Sequence, residues 1–234
     1  MNLLAFDFDK TITICDTILP VSRYLCEQLK RKNKFRIVQL YFLLFRMNFI
    51  SSKSFKEKIV TILLKGLNSE RIEEIILKFY QANFPNLLNS EIIELINSEK
   101  QKGNHIIIIT SNIQVFVNPI KKILPVNDVF ATKVEVLDKI IGEKIVGENC
   151  SGKVKAEILN KCKQKYNPEK VIAYGDSKGD FDMLNNSEEG YLLIYSLKDA
   201  LNKFLYRINN IRGKIPNQKF QILIKEFKDK NISH

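Results

Sequence analysis

The chain has no apolar run approaching the roughly 20 residues that a membrane-crossing helix requires. Its best candidate, Ile37 to Phe45, is short and is interrupted by Gln39. No basic opening segment leads into an apolar stretch, so no secretory signal is expected. The four cysteines, Cys15, Cys26, Cys150 and Cys162, fall in no CxxC or zinc spacing. Free thiols and a cytoplasmic protein are the expectation. Internal repeats and low-complexity linkers are missing as well. So are the signatures of helix-turn-helix, zinc-finger and RNA-binding modules, and a net charge of +11 stands without a nucleic-acid motif beside it. The basic residues gather at Lys30, Arg31, Lys32, Lys34 and Arg36, and again from Lys214 to Lys230. They read as a solvated surface. Peripheral contact with an anionic membrane is the other reading, and no specific nucleic-acid partner is expected.

What is present begins at residue 3. Leu3 to Phe6 is an apolar run that ends in Asp7-Phe8-Asp9-Lys10-Thr11. Buried carboxylates are costly unless they are paired or hold a metal. In a parallel α/β sheet the carboxyl ends of strands are where ligands bind. Residues 17 to about 100 then read as wholly helical, with Val21, Tyr24, Leu25 and Leu29, and later Ile72, Ile75, Ile76 and Phe79, on a 3.6-residue period. From residue 104 strands and helices alternate. Ile106 to Ile109 is a β-branched run of the kind buried on both faces. Lys133–Leu137 and Ile140–Val146 flank a turn at Asp138-Lys139, 153 to 165 reads as a helix, and 170 to 174 and 191 to 194 as strands. The tail from Ile211 reads as a loop and one basic amphipathic helix. Alternation of this kind predicts a parallel sheet covered by helices, with a helical block inserted after the first strand.

Four polar signals follow strands or open helices. They are Asp7/Asp9, then Thr110-Ser111-Asn112, then Lys153 after Cys150-Ser151-Gly152, then Gly175-Asp176-Ser177-Lys178-Gly179-Asp180. Each alone reads equally as a turn or a helix cap. Together they suit phosphoryl transfer. One carboxylate acts as nucleophile, a second moves the leaving group's proton, and paired acids hold Mg2+. A hydroxyl and a lysine hold the phosphoryl oxygens.

These four signals, in this order over residues 3 to about 185, resemble the four motifs of the haloacid dehalogenase superfamily of hydrolases. The helical insertion resembles the C1-type cap of its subfamily IB, the branch of phosphoserine phosphatase. The resemblance implies a Rossmannoid α/β core at 1–15 and 96–234 with a cap at 16–95. It implies a Mg2+-dependent phosphoric monoester hydrolase working through an aspartyl-phosphate. Asp7 would be the nucleophile and Asp9 the general acid and base. Asp7, Asp9 (by its backbone carbonyl), Asp176 and Asp180 would form the metal site, with Asp180 as ligand or support. Thr11, Thr110, Ser111, Asn112 and Lys153 would bind phosphate. Family dehalogenases lack the second aspartate, so Asp9 favours phosphate esters.

Substrate choice is less marked. Asp16 stands where related enzymes hold a substrate amino group, and it serves equally as the cap of the next helix. Val60 falls where phosphoserine phosphatases carry an arginine, which argues against phosphoserine itself. A small phosphomonoester, such as an amino-alcohol phosphate, remains open. The alternatives are a phosphotransferase, or a lipid- or nucleic-acid-binding protein on the same scaffold. Tyr41, Phe42, Phe45 and Phe49 read as cap core, or as a surface meeting lipid or a greasy substrate.

Overall fold

The computed structural model describes residues 1–194 and 221–224. The first strand, β1 (Leu3–Phe6), is followed by a tight turn, Phe8–Ile12, and then by helices. These are α1 (Ile18–Gln28), α2 (Lys32–Arg46), α3 (Ser52–Ile59), α4 (Ser69–Leu87) and α5 (Ser90–Gln101). Next come β2 (His105–Ile113), α6 (Gln114–Val117), β3 (Asp128–Thr132) and a hairpin, β4 (Val134–Leu137) with β5 (Ile140–Ile145). The described chain continues through α7 (Lys153–Tyr166), β6 (Val171–Gly175), α8 (Phe181–Asn185), β7 (Glu189–Ile194) and β8 (Gln221–Ile224).

The main sheet runs β3-β2-β1-β6-β7-β8, and every pair in it is parallel. The chain winds outward from β1 to β3, then crosses back to β6 on the other side of β1. The carboxyl end of β1 therefore lies at the switch point, where such sheets open a crevice. Its neighbours β2 and β6 end at the same edge.

The pleat divides the core. Leu3 and Ala5, with Ile107 and Ile109, face α7 and α8 through Leu159, Cys162, Met183 and Leu184. Leu4 and Phe6, with Ile106 and Ile108, face the other layer, which includes Ile92 and Ile96 of α5. This is the period-2 alternation of a strand covered on both sides. Each buried Ile contributes about 1.5–3 kcal/mol. All four cysteines are free.

The helical insertion leaves and re-enters the core through a doubled chain. The Ile14 amide donates to Leu87 and the Asn89 amide to Ile12, and Thr13 bridges Leu88. α5 packs back on the sheet, so the part standing away from it is α1 to α4. The hairpin leans on that part. Gly66 donates to Ile141 (2.8 Å), Ile141 to Leu67 (3.0 Å) and Ser69 to Lys139 (2.8 Å). The hairpin turn at Asp138-Lys139 has the two positive φ values, 48° and 67°, of a type I′ turn.

Two features depart from the sequence expectation. The tail contains a strand, β8, on the edge of β7, where a loop and helix were expected; the rest of the expected tail helix lies outside the described residues. Of the aromatic stripe, Phe42 and Phe45 pack on Phe55 inside the cap and Tyr41 is half-buried, whereas Phe49 is exposed.

Candidate active site

β1 delivers Asp7 to the sheet edge, and the Asp7 amide donates to the Tyr174 carbonyl of β6 (2.9 Å). Asp7 is buried at 6% exposure. Its Oδ1 accepts from Lys155 Nζ at 2.5 Å, and the same ammonium donates to Asp180 Oδ1 at 2.6 Å. One buried lysine thus separates two buried acids. Burial alone would lower the Lys155 pKa, but the charges of Asp180 and Asp7 outweigh it and hold the lysine protonated. Burial pushes Asp7 up to about 6, against the pull of Lys155.

The lysine expected here was Lys153. The structure places Lys153 on the exposed side of the first turn of α7, and Lys155 in the site. Residues two apart on a helix point about 200° away from each other, so only one of the pair can face the sheet edge. Lys155 lies on the buried stripe with Ala156, Leu159 and Cys162. That stripe is legible in the sequence and would have selected it.

Asp180 is fully committed. Beyond Lys155, its Oδ2 accepts from Ser177 N (2.9 Å), Ser177 Oγ (2.8 Å) and Asp176 N (3.2 Å). It braces the loop that carries Asp176. Gly175 makes the approach possible, since a Cβ there would fall 2.5 Å from Asp180 Cβ. Carboxylate oxygens of Asp7, Asp176 and Asp180 lie within 4.8 Å of one another. The Asp9 carboxylate is not part of that cluster; the metal contact expected of Asp9 is by its backbone carbonyl.

Asp9 is held elsewhere. Its Oδ1 accepts from the amide and the hydroxyl of Thr17, both at 2.7 Å, and its Oδ2 from Asn112 Nδ2 at 2.8 Å. Asn112 is fully buried, and its Oδ1 accepts from the Ile113 amide. Its side chain is therefore committed to positioning Asp9 and β2, a correction to its expected place on phosphate. Burial, then the nearby charge of Asp16, push Asp9 up to about 7. The turn that aims it includes Lys10 at φ 57°.

Thr110 ends the buried run of β2 at 1% exposure, and its Oγ1 accepts from the Asn112 amide at 3.1 Å. The Ser111 carbonyl accepts from Thr132 Oγ1. Thr11 is fully buried; its carbonyl accepts from Asn89 Nδ2, and its hydroxyl makes no hydrogen bond among the described residues. Asp16 is exposed, and its Oδ1 accepts from the Ile18 amide at 3.0 Å, bracing the start of α1.

One residue went unnoticed in the sequence. Lys56 of α3 is 2% exposed, and its Nζ donates to Asn149 Oδ1 in the segment ahead of α7. Asn149 Oδ1 also lies 3.0 Å from Thr132 Oγ1, which accepts from the Cys150 amide. Burial lowers the Lys56 pKa to about 8, while the charges of Asp9 and Asp16 oppose that shift. Lys56 falls on an apolar stripe with Ile59 and Leu63, the same signal that marks Lys155. Val60, at the position weighed for an arginine, is fully buried.

A buried acid, a bridging lysine and a braced acidic loop thus meet at one sheet edge. The family model for haloacid dehalogenase-like hydrolases matches residues 4–185, and the chain belongs to that family. It is similar to Protein CicA of Caulobacter vibrioides, with 28% identity over 203 residues covering 85% of this chain and 88% of that one. It is also similar to a phosphoserine phosphatase of Methanocaldococcus jannaschii, with 26% identity over 206 residues covering 86% and 89%. Among solved structures, a protein of unknown function from Bordetella pertussis Tohama I shares the fold at TM-score 0.76 and 16% identity, covering 95% of this chain and 97% of that one.

Proposed function

We propose that the protein is a Mg2+-dependent phosphomonoesterase acting on a small phosphorylated metabolite through an aspartyl-phosphate on Asp7. The observation that carries this reading is the Asp7–Lys155–Asp180 bridge beside Asp176. The similarity to a named phosphoserine phosphatase supports it.

An Asp7 oxygen attacks phosphorus and the bond to the leaving alcohol oxygen breaks. Asp9, buried and near neutrality in pKa, gives that oxygen its proton. Asp9 then takes a proton from water, which attacks phosphorus and frees Asp7 and inorganic phosphate. Lys155 keeps Asp7 ionised and, with the Thr110 hydroxyl, faces the phosphoryl oxygens. Ser111 lies beside them at the end of the buried run of β2.

The three clustered carboxylates are hard oxygen donors, which fits Mg2+. Asp7 and Asp176, with the Asp9 carbonyl, would hold the ion, and Asp180 would stand behind them. When bound, Mg2+ screens the repulsion between phosphate and carboxylate.

Of the insertion expected at 16–95, helices α1 to α4 act as the cap, while α5 packs with the core. Lys56 carries positive charge from that cap toward the anionic substrate. Asp16 sets the negative field near Asp9 and would favour an amino-bearing leaving group. The test is hydrolysis of an aryl phosphate with Mg2+. Asp7→Asn and chelation are each expected to abolish it; wild-type activity in Asp7→Asn would overturn the mechanism. A phosphomonoester panel then identifies the substrate.

A further inference from the structure

α2 turns an apolar face outward. Ile37, Leu40, Leu43 and Met47 recur at helical spacing and are 45–56% exposed, and Phe49 beyond the helix is 69% exposed. Only Val38 of this helix is fully buried, while Phe35, Tyr41, Phe42 and Phe45 form the side packed on the cap. A contiguous exposed stripe of large apolar side chains marks a docking surface.

The segment that carries that stripe is charged with one sign. Residues 28 to 56 contain no aspartate or glutamate, yet they include Lys30, Arg31, Lys32, Lys34, Arg36, Arg46 and Lys53 besides the buried Lys56. A second copy of the chain docking here would set these cations against their own counterparts. An anionic lipid surface complements them. A helix of this length, about 22 Å, with an apolar face and cationic flanks has the build of a segment lying in the plane of a bilayer interface. Among the described residues no helix is long and apolar enough to cross a membrane, so contact is at the surface.

We infer that α2 docks the cap on an anionic membrane surface, with Ile37, Leu40, Leu43 and Met47 entering the headgroup region and the flanking lysines and arginines meeting lipid phosphates. The inference stands apart from the catalytic reading, because none of these residues belongs to the site.

The test is co-sedimentation of the full chain with phosphatidylcholine vesicles, with and without phosphatidylglycerol. Binding is expected only with phosphatidylglycerol, weakening as salt is raised. The triple variant Leu40→Ser/Leu43→Ser/Met47→Ser is expected to bind about tenfold less while hydrolysing a soluble aryl phosphate and melting as wild type does. The charge variant Lys32→Glu/Arg36→Glu is expected to lose binding similarly. Three results would overturn the proposal. One is no binding to phosphatidylglycerol vesicles. Another is unchanged binding by the triple variant. The third is a wild-type dimer that the triple variant dissociates, which would give the face to a second copy.

Discussion

Lys155 Nζ sits 2.5 Å from Asp7 Oδ1 and 2.6 Å from Asp180 Oδ1, with each partner almost fully buried. Removing the lysine leaves two acids facing each other out of water, a loss that typically costs about 3–5 kcal/mol. Lys155→Ala is therefore expected to lower stability by that amount and aryl-phosphate turnover by about 10²–10³-fold. Lys153→Ala, on the solvent side of the same turn, is expected to stay within about twofold of wild type. Thermal melts and initial rates on the two variants check both statements; equal losses would remove Lys155 from its proposed role.

Asn112 acts through Asp9. Asn112→Ala removes the donor to Asp9 Oδ2 and is expected to slow alkyl phosphates about 10–100-fold, because their leaving oxygen needs a proton. p-Nitrophenyl phosphate, whose leaving group departs unprotonated, is expected to slow less. The ratio of the two rates is the measurement, and a uniform fall would make Asn112 merely structural.

Lys56 is a buried cation whose charged form burial disfavours. Its folded pKa is about 8, against an ordinary 10.5. Between those values the unfolded chain holds the extra proton, so this residue's contribution to stability rises with pH across the window. At pH 7 the buried charge is a cost. Lys56→Met is expected to raise the melting temperature by a few degrees at pH 7, with the gain shrinking as pH climbs from 8 to 10.5, and to raise KM for an anionic substrate. Parallel melts across that range, with kinetics at pH 7, decide it.

Gly175→Ala tests the bracing of the acidic loop. The added methyl would overlap Asp180, and a loss of about 1–3 kcal/mol is expected, with weaker Mg2+ protection against thermal unfolding. Melts with and without Mg2+ read both effects.

Much of the frame was legible because it rests on strong local signals. Strand β1 and the isoleucine run of β2 announced themselves by apolar continuity, and their polar endings pointed to one sheet edge. Lys153 is the first cation after Gly152, but the buried stripe through Ala156, Leu159 and Cys162 includes Lys155 and not Lys153. Lys56 escaped for the same reason: a cation among apolar neighbours at helical spacing is a buried charge, and buried charges need partners. Asn112 and β8 were beyond local pattern. The first depends on a contact with Asp9, 103 positions away in the chain, and the second on pairing across a long connection.

The stitching of the hairpin to residues 66–69 gives the inserted helices a second attachment. One is the doubled chain at residues 12–14 and 87–89, and the other is the set of backbone hydrogen bonds to Lys139 and Ile141. From β5 the chain runs through Asn149, which Lys56 contacts, to the start of α7 and Lys155. An insertion fastened at two separated places has fewer relative arrangements open to it than one hung from a single hinge, which favours a fixed geometry for Lys56 over the sheet edge.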